Sequence, residues 1–138
     1  MTTDEVKERL RAYRRACKEC RKLNRKIKDK RESMTQPRAV RTDALPGGKG
    51  NTLEAAIEKI DTLERRLHAA ESEKDKALSD VRTLIALVEN PDGRYILILR
   101  YINGVSFDDI PEQMYISDRS MWRRYNRAID EIIKATEK

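Results

Sequence analysis

Two long segments of the chain place apolar or small side chains at alternating intervals of three and four residues. This is the heptad pattern of helices that pack along one narrow seam. In residues 3–34 the seam positions hold Val6, Leu10, Tyr13, Cys17, Cys20, Ile27 and Met34, with Asn24 and Arg31 in the remaining places. Asn24 is predicted to be a buried amide that fixes the register of packing. Thr2 and Glu5 have the spacing of a capping box at the start of this helix.

The second heptad segment follows a break in the pattern. Residues 35–51 contain Pro37, Pro46 and three glycines within four positions, a composition that predicts a flexible linker. Residues 52–89 then form the second predicted helix, with Thr52 as its N-cap. Its two seam rows are Leu53, Ile60, Leu67, Val81 and Val88, with Lys74 as the exception, and Ala56, Leu63, Ala70, Ala77 and Leu84.

The charge of the chain is divided unevenly between these segments. Charged residues make up 39% of the chain and aromatic residues 5%, which favours long, solvated helices over a thick core. Residues 1–41 hold 15 Lys and Arg against 6 Asp and Glu, and residues 42–90 hold 7 against 10, for net charges of +9 and −3. The opposite charges favour an antiparallel coiled-coil hairpin. The same seams would equally join two chains in a homodimer, so both arrangements stay open.

Residues 90–138 are predicted to form a compact C-terminal domain. The segment DGRYILILRYING holds the densest apolar cluster of the chain and predicts its most buried helix, which Gly104 would end. Ser106 is then predicted to cap a first short helix, and Ser117 to cap a second one after the turn YIS. The first helix carries three acidic residues, whereas residues 117–127 carry four arginines and one aspartate.

This spacing and polarity predict a helix-turn-helix that presents one basic face to DNA. The inner side of its second helix would consist of Met121, Ala128, Ile129 and Ile132. The side chains that project from its outer side would be Asp118, Arg119, Trp122 and Arg123, followed by Arg127. In a recognition helix these positions reach base edges and phosphates of the major groove.

The segment LRYINGVSFDDIPEQMYISDRSMWRRYNRAIDEI resembles region 4 of sigma-70 factors, in the version found in small phage and prophage regulators of Gram-positive bacteria. The residues that match as they stand are Leu99, Arg100, Tyr101, Ile102, Gly104, Ser106, Ile110, Met114, Ser117, Arg123 and Ala128, and those similar in type are Phe107, Met121, Trp122 and Ile129. The basic helix, PGG loop and acidic coiled coil that precede it resemble ArpU- and RinA-like phage transcriptional regulators. The close match covers about a third of the chain.

The resemblance implies roles for individual residues. Asp118, Arg119, Ser120, Trp122 and Arg123 would face a −35-type DNA element. Arginine can pair bidentately with guanine, whereas Arg127 would hold a phosphate. Trp122 would either stack on a sugar, contact a thymine methyl group or pack inward. The implied function is activation of phage late or packaging genes, with RNA polymerase as a further partner in the cytoplasm of the bacterial host.

Three residues depart from the family pattern. Pro111 stands where alanine is usual, so the first helix either bends or starts later, with Asp109 as its cap. Tyr115 replaces the usual turn glycine, which leaves the geometry of the turn open. Arg124 replaces a common aliphatic residue, which predicts a thinner inner face of the second helix.

We therefore expect an all-α, non-enzymatic regulator that binds double-stranded DNA and needs no cofactor or metal. Cys17 and Cys20 have the spacing of zinc ligands but occupy seam positions, where cysteine acts as a small apolar side chain. His68 has no candidate partner for acid–base chemistry. The chain has no apolar run of membrane-spanning length, and its start does not have the pattern of a signal peptide.

Two other functions remain open at this stage. One is a phage DNA-packaging protein like a small terminase subunit, which also combines a helix-turn-helix with coiled coils. The other is a protein-interaction module that binds RNA polymerase or a sigma factor. The basic residues of 7–31 are predicted either to solvate one face of a coiled coil or to follow DNA phosphates.

Overall fold

The computed structural model of the chain describes residues 1–35 and 48–137, with side chains for residues 1–34 and 53–137. This part of the chain is helical and contains no strand, which confirms the predicted all-α class. The helices are α1 (Thr3–Thr35), α2 (Gly48–Ala86), α3 (Pro91–Leu97), α4 (Ile110–Met114) and α5 (Asp118–Thr136). A π-helical turn, Ile98–Ile102, continues α3.

The chain divides into two units, each with its own buried side chains. Unit 1 consists of Met1–Cys17 and Glu73–Lys138, and unit 2 of Lys18–Ser72. In unit 2 the buried apolar side chains are Cys20, Leu23 and Ile27 of α1 and Ala56 and Ile60 of α2. An ion pair between Arg31 and Glu64 also joins the two helices within this unit.

Unit 1 has one apolar core to which every helix contributes, α1 and α2 only with the parts that belong to this unit. The core side chains are Val6, Leu10, Val81, Leu84, Ile85, Val88, Ile96, Leu97, Leu99, Tyr101, Ile110, Met121, Tyr125, Ala128, Ile129 and Ile132. Burial of such apolar surface supplies the main free energy that holds helices together, about 25 cal/mol per Å² removed from water. The predicted apolar segment after Pro91 contributes Ile96, Leu97, Leu99 and Tyr101 to this core, whereas Tyr95 is 47% exposed.

The buried side of α1 differs from the predicted seam at one position. Leu23 is 3% exposed, whereas Asn24 is exposed and does not act as a buried register amide. The buried side of α1 in unit 2 is formed by Cys20, Leu23 and Ile27. Leucine gains free energy when it is removed from water, whereas a buried amide needs hydrogen-bond partners, which favours Leu23 over Asn24 at this side. Met34, the last predicted seam residue, is also exposed.

The ends of α2 also differ from the prediction. The helix begins at Gly48, so the predicted N-cap Thr52 lies inside it, and it ends at Ala86 rather than at Glu89. Extension of an existing helix needs no new nucleus, so a short glycine-containing turn can precede the strongly periodic part. Of the predicted linker 35–51, residues 36–47 lie outside the described part of the chain.

Gly104 ends the π-helical turn in the way predicted from the sequence. Its φ angle is 76°, in the left-handed region that glycine occupies without steric cost. The Asn103 N–H donates to the Ile98 carbonyl at 2.9 Å, which is the i to i+5 bond of a π-helix, and the Val105 N–H donates to the Leu99 carbonyl at 2.8 Å. These bonds turn the chain out of the core and toward the segment that precedes α4.

Candidate nucleic-acid interface

The first short helix of the predicted motif starts later than Ser106. Residues 107–109 form a turn, in which the Asp109 N–H donates to Ser106 Oγ at 3.3 Å. Helix α4 begins at Ile110, with Asp109 in the N-cap position but without a side-chain cap bond. Pro111 therefore lies in the first helical turn, where its missing N–H breaks no helical bond. Of the two alternatives that the sequence left open, the helix starts later rather than bends.

Tyr115 forms the turn between α4 and α5 in a left-handed conformation. Its φ and ψ angles are 56° and 43°, and no other non-glycine residue in the described part of the chain has a positive φ. Its side chain is 95% exposed. The Ile116 N–H donates to the Pro111 carbonyl at 3.0 Å and closes the end of α4. The tyrosine thus keeps the backbone shape of a turn glycine.

Ser117 caps α5, as the sequence predicts. Its Oγ accepts a hydrogen bond from the Ser120 N–H at 3.1 Å. Asp118 follows in the first turn, near the positive end of the helix dipole. The Ser120 hydroxyl lies 3.3 Å from Arg123 Nη2, which donates to it and holds the guanidinium close to the helix surface.

Helix α5 has one buried and one exposed face. The four predicted inner residues, Met121, Ala128, Ile129 and Ile132, are buried, and Tyr125 joins them. Five of the six predicted site residues are exposed: Asp118, Arg119, Trp122, Arg123 and Arg127. Ser120 is half-buried at the border between the two faces. The structure thus brings the predicted DNA-contacting side chains to one surface.

An aromatic cluster supports the exposed face of α5 at Trp122. The Trp122 ring centroid lies 4.7 Å from that of Phe107 and 5.5 Å from that of Tyr125. The Trp122 side chain nevertheless remains 42% exposed, so it packs with one part and presents the other to solvent. Below it, the hydroxyl groups of Tyr125 and Tyr101 are hydrogen-bonded at 2.6 Å. Burial, and then this bond, raise the pKa of Tyr125.

Several cations from distant parts of the sequence surround this cluster. The Arg100 guanidinium lies 4.3 Å from the Phe107 ring centroid, and Lys7 Nζ of α1 lies 5.8 Å from that of Tyr125. Both distances fit cation–π contacts. A Cβ atom built on Gly104 would lie 2.6 Å from Arg14 Nη2, so this guanidinium of α1 rests against the Gly104 turn. The sequence pattern did not indicate the contacts of Lys7 and Arg14, because these residues of α1 lie about ninety residues or more from their partners.

Arg124 links α5 to α3 at the edge of the inner face. Its Nη1 atom lies 3.5 Å from the Asp92 carboxylate, and its side chain is 31% exposed. Next to Asp92, Gly93 lets the two helices approach closely, since a Cβ atom there would lie 3.1 Å from the Ala128 Cβ. Arg124 thus contributes an ion pair where the family usually has an aliphatic side chain.

No described group of three or more His, Cys, Asp or Glu side chains could hold a metal ion. Cys20 is buried and Cys17 half-buried, which agrees with the predicted role as small seam side chains. None of the described helices combines the length and the apolarity needed to cross a membrane.

Comparison with curated proteins and with solved structures found no match. Residues 33–133 match the model of a protein family, DUF1492, which is described as a protein of unknown function. The match begins at the end of α1 and includes all of α2 to α5 apart from the last residues of α5. Because it covers well over half of the chain, the chain belongs to the DUF1492 family.

Proposed function

We propose that the chain is a sequence-specific, double-stranded-DNA-binding transcriptional regulator of phage type. In this proposal α4, the Tyr115 turn and α5 form a helix-turn-helix that resembles region 4 of sigma-70 factors. The observation that carries the proposal is the exposed face of α5, on which Arg119, Trp122 and Arg123 lie together above a buried apolar face. A single helix with such a face fits into the major groove, which is about 12 Å wide.

The arrangement gives different tasks to the arginines of α5. Arg119 and Arg123 lie one turn apart in the N-terminal half of the helix, the part that meets base edges in helix-turn-helix proteins. Each guanidinium can donate two hydrogen bonds to one guanine, which contributes about 1–3 kcal/mol of discrimination. Arg127 lies one turn further along, where a phosphate contact would fix the orientation without specifying sequence.

The proposal also includes the hairpin of α1 and α2. Within unit 1 an ion pair joins Arg9 to Asp80, and within unit 2 another joins Arg31 to Glu64. Exposed ion pairs contribute little free energy, but they indicate which helix surfaces meet. Contacts of this kind in each unit support pairing of α1 with α2 inside one chain, in the predicted antiparallel coiled coil. The coiled coil would dock the protein on a partner or assemble it, while the helix-turn-helix binds DNA.

The combined substitution of Arg119→Ala and Arg123→Ala tests the recognition face. We expect specific binding to DNA from the neighbourhood of the encoding gene to fall by roughly 30-fold or more, since two bidentate contacts of about 1–3 kcal/mol each are lost. Gel-shift titration measures the affinity, and circular dichroism checks that the helical content is unchanged. The matched control replaces Arg65 and Arg66 of α2, which are also exposed, with alanine. Unchanged affinity of the α5 variant would refute the assignment of this face.

The exposed aromatic side chains favour a second candidate, a module that binds RNA polymerase or a sigma factor. Tyr115 is 95% exposed and Trp122 42% exposed, and aromatic residues are enriched at protein–protein interfaces. If this function is the principal one, the wild-type chain should capture polymerase or sigma factor and show no sequence preference in the gel shift. A Trp122→Ala variant should then lose the protein partner.

A further inference from the structure

The N-terminal half of α1 carries three cations on one side of the helix: Lys7, Arg11 and Arg14, which we name the α1 stripe. Their spacing of four and three residues places them one above another. This side of α1 meets the C-terminal helices, because Lys7 contacts the Tyr125 ring and Arg14 rests against the Gly104 turn. All of these residues belong to unit 1, and the stripe lies outside the residues matched by the family model.

Lys7, the first residue of the α1 stripe, lies close to Trp122 on the exposed face of α5. Lys7 Nζ is 5.8 Å from the Tyr125 ring centroid, and this centroid is 5.5 Å from the centroid of Trp122. The two distances together are smaller than the width of the major groove, about 12 Å. A duplex that received α5 in this groove would therefore bring a sugar-phosphate backbone to the neighbourhood of Lys7.

The stripe keeps a net positive charge after its internal contacts are counted. Among the described residues, Lys7 and Arg14 form no ion pair within 4.0 Å. Arg11 donates to Glu8 at 3.0 Å, but Arg15 donates to the same carboxylate at 2.5 Å. Two guanidinium groups therefore share one negative charge. The hydrogen bonds from Arg15 and Arg11 lower the pKa of Glu8, so this carboxylate stays ionised at neutral pH.

Structural roles account for part of this arrangement. Lys7 gains a cation–π contact, and Arg14 lies at the carboxyl end of the π-helical turn, where a cation is favourable. Neither role requires a third cation at Arg11, whose side chain is 51% exposed. Arg9, by contrast, lies on another side of α1 and pairs with Asp80 of α2. A row of cations beside a basic recognition surface is what a DNA backbone would contact.

We infer that the α1 stripe binds the phosphates that flank the groove entered by α5. This inference rests on the proposed function, and it adds a second, sequence-independent contact surface to the recognition helix. Such contacts position the protein on the duplex. They also release counterions, so the logarithm of the binding constant falls linearly with the logarithm of the salt concentration. Each phosphate contact contributes a slope of about −0.9.

The test uses a fluorescein-labelled duplex of mixed sequence, about 30 base pairs or three helical turns in length. Binding is measured by fluorescence anisotropy at several salt concentrations. Replacement of Lys7, Arg11 and Arg14 by glutamine should reduce the magnitude of the salt slope by about 2.7. The control replaces Arg21, Lys22 and Arg25 of the same helix, which are exposed and lie in unit 2, and should leave the slope unchanged. Glutamine preserves helix propensity in both variants.

Further variants separate charge from structure. If the triple variant loses helical content, the single variants Lys7→Gln and Arg11→Gln should each reduce the slope by about 0.9. The double variant Arg11→Lys and Arg14→Lys retains the charges and should keep the wild-type slope. An unchanged slope in every glutamine variant, or an equal reduction in the control triple, would overturn the inference while leaving the proposed function intact. Failure of the wild-type chain to bind any duplex would overturn both.

Discussion

At the level of single residues, Tyr115 is the position where the sequence and the backbone conflict most clearly. A side chain with a Cβ atom costs roughly 1–2 kcal/mol in the left-handed region. The ring of Tyr115 is almost fully exposed and offsets none of this cost by burial. Strain of this kind persists only where neighbouring structure enforces it. Tyr115 is itself the C-cap of α4, and Ser117, the N-cap of α5, follows two residues later.

Replacement of Tyr115 by glycine should therefore stabilise the fold. Glycine removes the steric cost but loses more entropy on folding, so we expect a net gain of about 1 kcal/mol in the free energy of unfolding. Urea unfolding followed by circular dichroism measures it. Tyr115→Ala is the matched control, because alanine removes the ring but keeps the Cβ atom, and it should gain much less. A glycine variant no more stable than the alanine variant would contradict this account.

At the level of helices, those features that depend on local periodicity and on capping residues could be predicted from the sequence. The apolar face of α5 and the Ser117 cap follow from residues within a few positions of one another, and both are present. Asn24 was predicted wrongly because a strict heptad assigns positions by spacing alone, whereas burial favours the neighbouring Leu23 over an amide. The π-helical turn and the contact between Lys7 and Tyr125 had no local signal, since they depend on packing between segments far apart in sequence.

The hydrogen bond between Tyr101 and Tyr125 is one such contact between elements, and it joins the π-helical turn to α5. Both side chains are at most 3% exposed. Either single change to phenylalanine should cost about 1–3 kcal/mol, because it leaves the other hydroxyl buried without this partner. The double variant should be no less stable than the worse single variant, since no unpaired hydroxyl remains. Urea unfolding of the wild type, the two single variants and the double variant gives a double-mutant cycle. Strictly additive losses of stability would show that the two tyrosines are not coupled by this bond.

At the level of the whole molecule, the distribution of charge is relevant to both proposals, DNA recognition by α5 and phosphate binding by the α1 stripe. The excess of positive charge lies mainly in α1, yet part of this helix belongs to the same unit as α5. A basic N-terminal segment and a nearly neutral C-terminal domain can therefore form one DNA-binding surface. Overall charge alone would point to α1 and not to α5, on which the proposed function depends.

The oligomeric state follows from where the seam residues are buried. Most seam side chains of α1 and α2 are already at least half-buried within the single chain, and few large apolar side chains of these helices remain exposed: Met34, Leu53 and Ile57 among the described residues. These three side chains would form only a small part of a stable dimer interface, which buries about 800 Å² per partner. We therefore expect a monomer of 16.1 kDa.

Light scattering coupled to size-exclusion chromatography measures this mass directly. A ring, as expected of a small terminase subunit, would show a mass several times larger, and a coiled-coil homodimer a mass twice as large. Either result would contradict the expected monomer. A monomer should also bind a different kind of DNA site from a dimer. Dimeric helix-turn-helix proteins bind two half-sites about one helical turn apart, whereas one copy of α5 should protect a single asymmetric site in a footprinting experiment.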